Sequence, residues 1–197
     1  MARKKLEPAA IPERIAILGW GSLVWEAGGS FDEWREEKWK LDGPKLRLEF
    51  SRVSSRRFGA LTLIIDKANR AEVQVAWCLS KRLHLEDAKC DLRCREGAMI
   101  KDIGVMTLDL SVPLPENQRN DPIESWAYKQ KIKSVVWTAL QSNFEEKTRM
   151  NFSVPHAITH LKSLTPEGKA KASEYIWRAP EFVKTPLRTA IEIGPWF

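Results

Sequence analysis

The order of apolar and polar positions divides the chain into a strand-rich first part and a helical last part. Residues 15–18 are Ile15, Ala16, Ile17 and Leu18 with no polar alternate, the pattern of a strand buried on both faces. The run breaks at Gly19, Trp20, Gly21 and Ser22, and apolar character resumes with Leu23, Val24 and Trp25. Residues 30–35 predict a short acidic helical turn, and 39–44 a loop. Residues 45–53 alternate apolar with polar, which predicts a strand with one wet face. A turn at 54–59 leads to a more deeply buried strand at 60–66. Asn69 and Arg70 turn the chain again before a third, alternating strand at 72–79. Three strands on short connections predict an antiparallel meander.

The period then changes. Over 84–95, Leu85, Ala88 and Leu92 recur at helical spacing, with acids early, arginines late and Gly97 as the stop. Residues 105–110 and 132–140 predict two further strands, separated by a proline- and asparagine-rich loop at 113–122. Beyond Ser153 the pattern is helical. One helix is expected over 153–164, and another opens with Thr165 and Pro166 and runs to Arg178. Pro180 and Pro186 are expected to break the remainder into extended pieces. Strands first, one inserted helix and a helical tail predict an α+β domain. Its expected parts are a flexible arm at 1–13, the domain proper at 14–145, and a helical C-terminal extension at 146–197 packed on the same domain.

Composition narrows the function classes. A chain of 197 residues, 43% apolar and 29% charged, is long enough to bury a core of its own. Nine tryptophans lie mostly in apolar runs, which places them in the core or around an indole-lined pocket. The net charge is +6, yet the lysines and arginines are scattered and no nucleic-acid-binding motif accompanies them. That argues against a nucleic-acid partner. Three cysteines (Cys78, Cys90 and Cys94) and no leader segment suggest a reducing, cytoplasmic location. No apolar run approaches the ~20 residues that span a bilayer, so no membrane partner is expected.

Two features carry possible chemistry. Gly19 and Gly21 flank Trp20 at the end of a buried strand, so the backbone can turn sharply and present N–H groups to a carboxylate or an oxyanion. The alternative is a tight turn whose glycines serve geometry alone. Glu96 ends the predicted helix beside Gly97, where the helix dipole disfavours a carboxylate and raises its pKa towards that of a general base. The alternative is one more solvated glutamate. Cys90 and Cys94 share a helix face near His84. They are either part of a metal site whose remaining ligands are missing or, more simply, a buried thiol pair. His156 and His160 lack the intervening glutamate of a zinc-protease helix and read as ordinary helix residues. Cys78, inside a strand, is expected in the core.

The stretch Gly19, Trp20, Gly21, Ser22, Leu23 resembles the Tyr-Gly-Ser loop of the γ-glutamylcyclotransferase-like superfamily. It looks closest to the glutathione-acting, ChaC-type branch. In order along the chain, Phe50 to Ser55, Leu61-Thr62-Leu63, Val75-Ala76-Trp77, Arg95-Glu96 and Val136 to Leu140 with Asn143 are similar to that branch's successive motifs. The resemblance covers roughly residues 15–145. It implies a small, mostly antiparallel β-barrel with flanking helices, and a transferase- or lyase-type reaction that releases 5-oxoproline from a small γ-glutamyl compound, as in glutathione metabolism. It implies Glu96 as general acid and base. The substrate would be held by Gly19, Trp20, Gly21, Ser22, Leu23 and Trp137, with no metal and no cofactor. Trp20 and Trp137 stand where tyrosines are usual, and 97–100 lacks the lysine and aromatics of the glutathione branch, which leaves the substrate's identity open. A non-catalytic small-molecule binding module on the same scaffold is the alternative.

Overall fold

The computed structural model describes residues 14–68, 71–112 and 121–194. The predicted arm at 1–13, the turn at Asn69 and Arg70, and most of the predicted loop at 113–122 lie outside the described residues. Element order is β1 (Ile15–Gly19), α1 (Ser22–Trp25), α2 (Ser30–Glu33), β2 (Lys45–Val53), β3 (Leu61–Ile65), β4 (Glu72–Gln74), β5 (Ala76–Leu79), α3 (Leu85–Glu96) and β6 (Ile103–Thr107). There follow α4 (Pro122–Lys129), β7 (Ser134–Thr138), α5 (Phe144–Thr148), α6 (Val154–Ser163), α7 (Pro166–Arg178) and α8 (Pro186–Ile193). This is an α+β fold.

β1 is the axis. All five of its residues are buried, as its unbroken apolar run requires. It pairs antiparallel with β5 and parallel with β7, and β6 extends the sheet to the order β5-β1-β7-β6. Ile17 faces a small cluster with Leu92 of α3 and Val136 of β7. Ala16 and Leu18 face the main core, which takes in the second sheet and helices α4 to α8. The C-terminal helices therefore share one core with the strands.

The predicted meander is not formed. β2 lies in the middle of the second sheet, between β3 and β4. The single predicted strand at 72–79 is two strands, because Val75 between them exchanges hydrogen bonds with Gly43 and Pro44. The chain there passes from one sheet to the other. Among the described residues the two sheets do not close into a barrel. The expected wet face of β2 holds only at Lys45 and Arg47, since Glu49 and Ser51 are buried. Glu49 accepts from Phe50 N at 2.8 Å and from Leu187 N at 3.3 Å, so a buried carboxylate serves the start of α8.

Four helices were not expected, the first being α1, a single turn directly after the bend. α4 opens on Asp121, whose carboxylate caps Ile123 and Glu124 ahead of Pro122. α5 is a short turn after Asn143. Pro186 opens α8 instead of breaking the chain, because Thr185 caps it in the same order as Thr165 and Pro166 cap α7. Arg188, buried on α8, donates to the carbonyls of Ala179, Pro180 and Val183 and fastens the end of α7.

Side chains join the end of β2 to the chain beyond β7. Asn143 Oδ1 accepts from Val53 N at 2.8 Å while its Nδ2 donates to Val53 O at 3.1 Å, and Ser142 Oγ donates to Ser51 O. Asn143→Ala leaves both polar groups of a buried residue without a partner, at a cost of about 2 kcal/mol, or roughly 4–8 °C in melting temperature. Differential scanning fluorimetry checks this; a shift below about 1 °C would show that the seam holds without that side chain.

Candidate functional site

A cleft of about 800 Å³ opens beside the C-terminal end of β1, a size suited to a small molecule. The sequence placed Gly19, Trp20, Gly21, Ser22 and Leu23 together, and all five line it. Glu96 lines it too, delivered from the last residue of α3. Trp137 is not brought there. It faces Gly104 across the β6–β7 pair and packs at the edge of the main core, while its neighbour Thr138 reaches the cleft.

Backbone hydrogen bonds just beyond the bend hold its shape. Val24 N donates to Gly21 O and Glu26 N to Ser22 O. The N–H groups of Gly21, Ser22 and Leu23 donate to no backbone carbonyl among the described residues. Trp20 does not stand as an open aromatic wall. It is buried, and its indole N–H donates to Leu63 O at 3.4 Å.

Glu96 arrives by a helix with a defined stop. Gly97 takes the left-handed conformation (φ 57°), and its N–H and that of Ala98 close on Cys94 O and Arg93 O. Arg56 lies over Gly97 and donates to Gly97 O at 3.4 Å, a cation at the negative end of a helix. Arg95 Nη2 donates to Ser22 O at 3.3 Å and Glu26 O at 3.1 Å, which ties the end of α3 to the bend.

The Glu96 side chain is 19% exposed, and its Oε1 is shielded with no hydrogen-bond partner among the described residues. The nearest cation to it is Arg95 Nη1 at 4.0 Å. Burial pushes the Glu96 carboxyl above its ordinary range; Arg95, Arg57 and Arg56 pull it part of the way back, and Glu26 adds to the rise. The helix dipole suggested the right direction from sequence, but burial is the larger cause. A dry acid with a raised pKa, an unfilled acceptor oxygen and backbone amides across a cleft can move a proton at a bound polar molecule.

Sequence reasoning missed Tyr175. It comes from α7, is 5% exposed, and lines the cleft with its hydroxyl against the Cα of Gly21. A methyl group at Gly21 would collide with that oxygen, which is why the bend needs glycine there. Nothing local marks Tyr175 in sequence; it sits in an ordinary helical repeat. The remaining sequence candidates stand apart. Cys90 and Cys94 are exposed free thiols, not the buried pair expected, because both turn away from the Ala88–Leu92 face of α3. Cys78 is in the core. His156 and His160 bond to Asn151 O and Gly59 O. Among the described residues no cluster of three His, Cys, Asp or Glu side chains could hold a metal ion, and no helix is long and apolar enough to cross a membrane.

Comparison with protein-family models, with characterised proteins and with solved structures finds no match.

The raised Glu96 pKa has a consequence for stability. A carboxyl whose folded pKa lies above its unfolded one gives stability that is complete below the unfolded pKa and lost as pH rises through the folded pKa. Glu96→Gln does not titrate. It therefore melts at or above the wild type near neutral pH, and the difference narrows as pH falls towards the ordinary carboxylate range. Thermal melts across that range check the sign; a variant that melts lower at neutral pH contradicts the burial described.

Proposed function

We propose that the protein is a γ-glutamylcyclotransferase-like enzyme that releases 5-oxoproline from a small γ-glutamyl amine or peptide. The observation that carries this is the meeting of Glu96, with an unpartnered carboxylate oxygen, and the Gly21–Ser22 bend around one cleft. The resemblance of the Gly19 to Leu23 stretch and of Arg95-Glu96 to that superfamily supports the same reading. On it, the two sheets correspond to the superfamily's small barrel.

The chemistry is an intramolecular aminolysis. The substrate's α-ammonium gives a proton to Glu96, and the freed amine attacks its own γ-carbonyl, forming the ring C–N bond. The carbonyl oxygen takes the negative charge while the amides of Gly21, Ser22 and Leu23 face it or the α-carboxylate. The charge returns as the bond to the leaving nitrogen breaks and Glu96 passes its proton to that nitrogen; Glu96 then takes the second proton from the ring nitrogen, leaving the lactam N–H, and the departing amine carries that proton away as its ammonium. Both reacting groups belong to one molecule, so holding the chain folded supplies much of the acceleration. A base with a raised pKa returns the proton readily, and burial keeps water from competing. Cations outnumber acids among the residues lining the cleft, with Arg52 and Arg56 outside the ion pairs that hold Arg57, Arg95, Lys147 and Lys171, which favours an anionic ligand.

A non-catalytic binding module is the second reading. It is favoured by Trp20, whose indole is turned into the core and leaves the bend without a hydroxyl of its own. It predicts ligand-induced quenching of tryptophan fluorescence without turnover.

The test is 5-oxoproline release from a panel of γ-glutamyl amino acids and peptides. The wild type turns over at least one of them, and Glu96→Gln lowers kcat by roughly 100-fold or more. Activity falls on the acid side at a pH above the ordinary carboxylate range, because Glu96 has to be ionised to accept the proton. No release from any member, or equal release by the variant, contradicts the proposal.

A further inference from the structure

Tyr175 is held more firmly than packing alone needs. Its ring meets Trp25 edge-on at 5.2 Å and Phe50 at 6.2 Å, and the Arg57 guanidinium covers it at 4.8 Å. Its hydroxyl rests on Gly21 and lines the cleft. No carbonyl or carboxylate among the described residues takes the proton of the Tyr175 hydroxyl at hydrogen-bonding distance. Burial first, and then the charge of Glu96, push the phenol up to about 12, so it keeps that proton at neutral pH. Across the cleft, Glu96 Oε1 is an acceptor without a donor. A donor without an acceptor and an acceptor without a donor thus border the same space. A bound group that donates on one side and accepts on the other satisfies both.

We propose that Tyr175 is a catalytic residue supplied by α7, whose hydroxyl donates to the γ-carbonyl oxygen as it becomes an oxyanion while Glu96 handles the amine. The inference rests on the cyclotransferase reading and adds a residue to it. Tyr175 gives a hydrogen bond and no proton: the charge gathers on the carbonyl oxygen when the ring C–N bond forms and leaves it when the bond to the departing nitrogen breaks. The segment 146–197, which the resemblance does not cover, then completes the site.

Three proteins decide it, with 5-oxoproline release from γ-glutamyl peptides as readout: wild type, Glu96→Gln and Tyr175→Phe. Tyr175→Phe keeps the ring and its contacts. It should lower kcat by about 100-fold with KM changed less than about threefold, the loss typical of one oxyanion donor. If the wild type is active, Glu96→Gln is dead and Tyr175→Phe stays within about threefold of wild type, the cyclotransferase reading stands and the role of Tyr175 is overturned. If the wild type releases nothing from any peptide, both fall together.

Should Tyr175→Phe fold poorly, 3,5-difluorotyrosine at position 175 keeps size and hydroxyl while making the phenol more acidic. The charged groups acting on it are Glu96 of α3 and Arg57 of the Ser55–Arg57 turn, with Lys171 of its own helix on the same cleft wall. A donor that ionises early stops donating, so kcat gains an alkaline fall that the wild type lacks over the same range. An unchanged profile overturns the proposal.

Discussion

A carboxylate oxygen kept from water without a hydrogen-bond donor is costly, by an amount comparable to that of a lost buried hydrogen bond or more. Glu96 Oε1 is in that condition, and much of the surrounding structure acts to keep it there. Gly97 ends α3 so that the residue before it turns into the cleft. Arg95 binds the helix end to the carbonyls of Ser22 and Glu26, and Arg56 covers the outside. The strain falls on the one group whose protonation the proposed chemistry needs. Such an arrangement is easier to explain by function than by stability.

The C-terminal helices are part of the same device. α8 is anchored by a buried Glu49 at its start and by Arg188, which grips the end of α7. That grip fixes α7 against the core and so fixes Tyr175 at the bend. Gly21 and Tyr175, far apart in the chain, are mutually dependent: the phenol oxygen occupies the space that a side chain at position 21 would fill. The cleft is therefore assembled from β1, α3 and α7, and none of these could form it alone.

Local patterns dictate the elements that are legible in the sequence. β1 follows from an unbroken apolar run, α3 from its period and its glycine stop, and α6 and α7 from Ser153 and Thr165 placed before prolines. The bend and Glu96 stand out for the same reason, each being a departure from its local pattern. Decisions made at long range are not legible. Val75 splits one strand into two because Gly43 and Pro44 capture its backbone, and Glu49 on a seemingly wet face is buried by α8. Pro186 reads as a breaker unless Thr185 ahead of it is taken as a cap, the same device as at Thr165. Trp137 enters the site only by resemblance, and the alternation of β7 turns it to the opposite side from Thr138.

The most direct measurement is a crystal structure of the protein soaked with 5-oxoproline, the product that the proposed ring closure leaves behind. The lactam is expected in the cleft, its N–H towards the Glu96 carboxylate and its carbonyl oxygen towards the Gly21–Ser22 bend and the Tyr175 hydroxyl. A lactam lodged elsewhere, or a cleft that stays empty at saturating 5-oxoproline, would contradict the proposed chemistry.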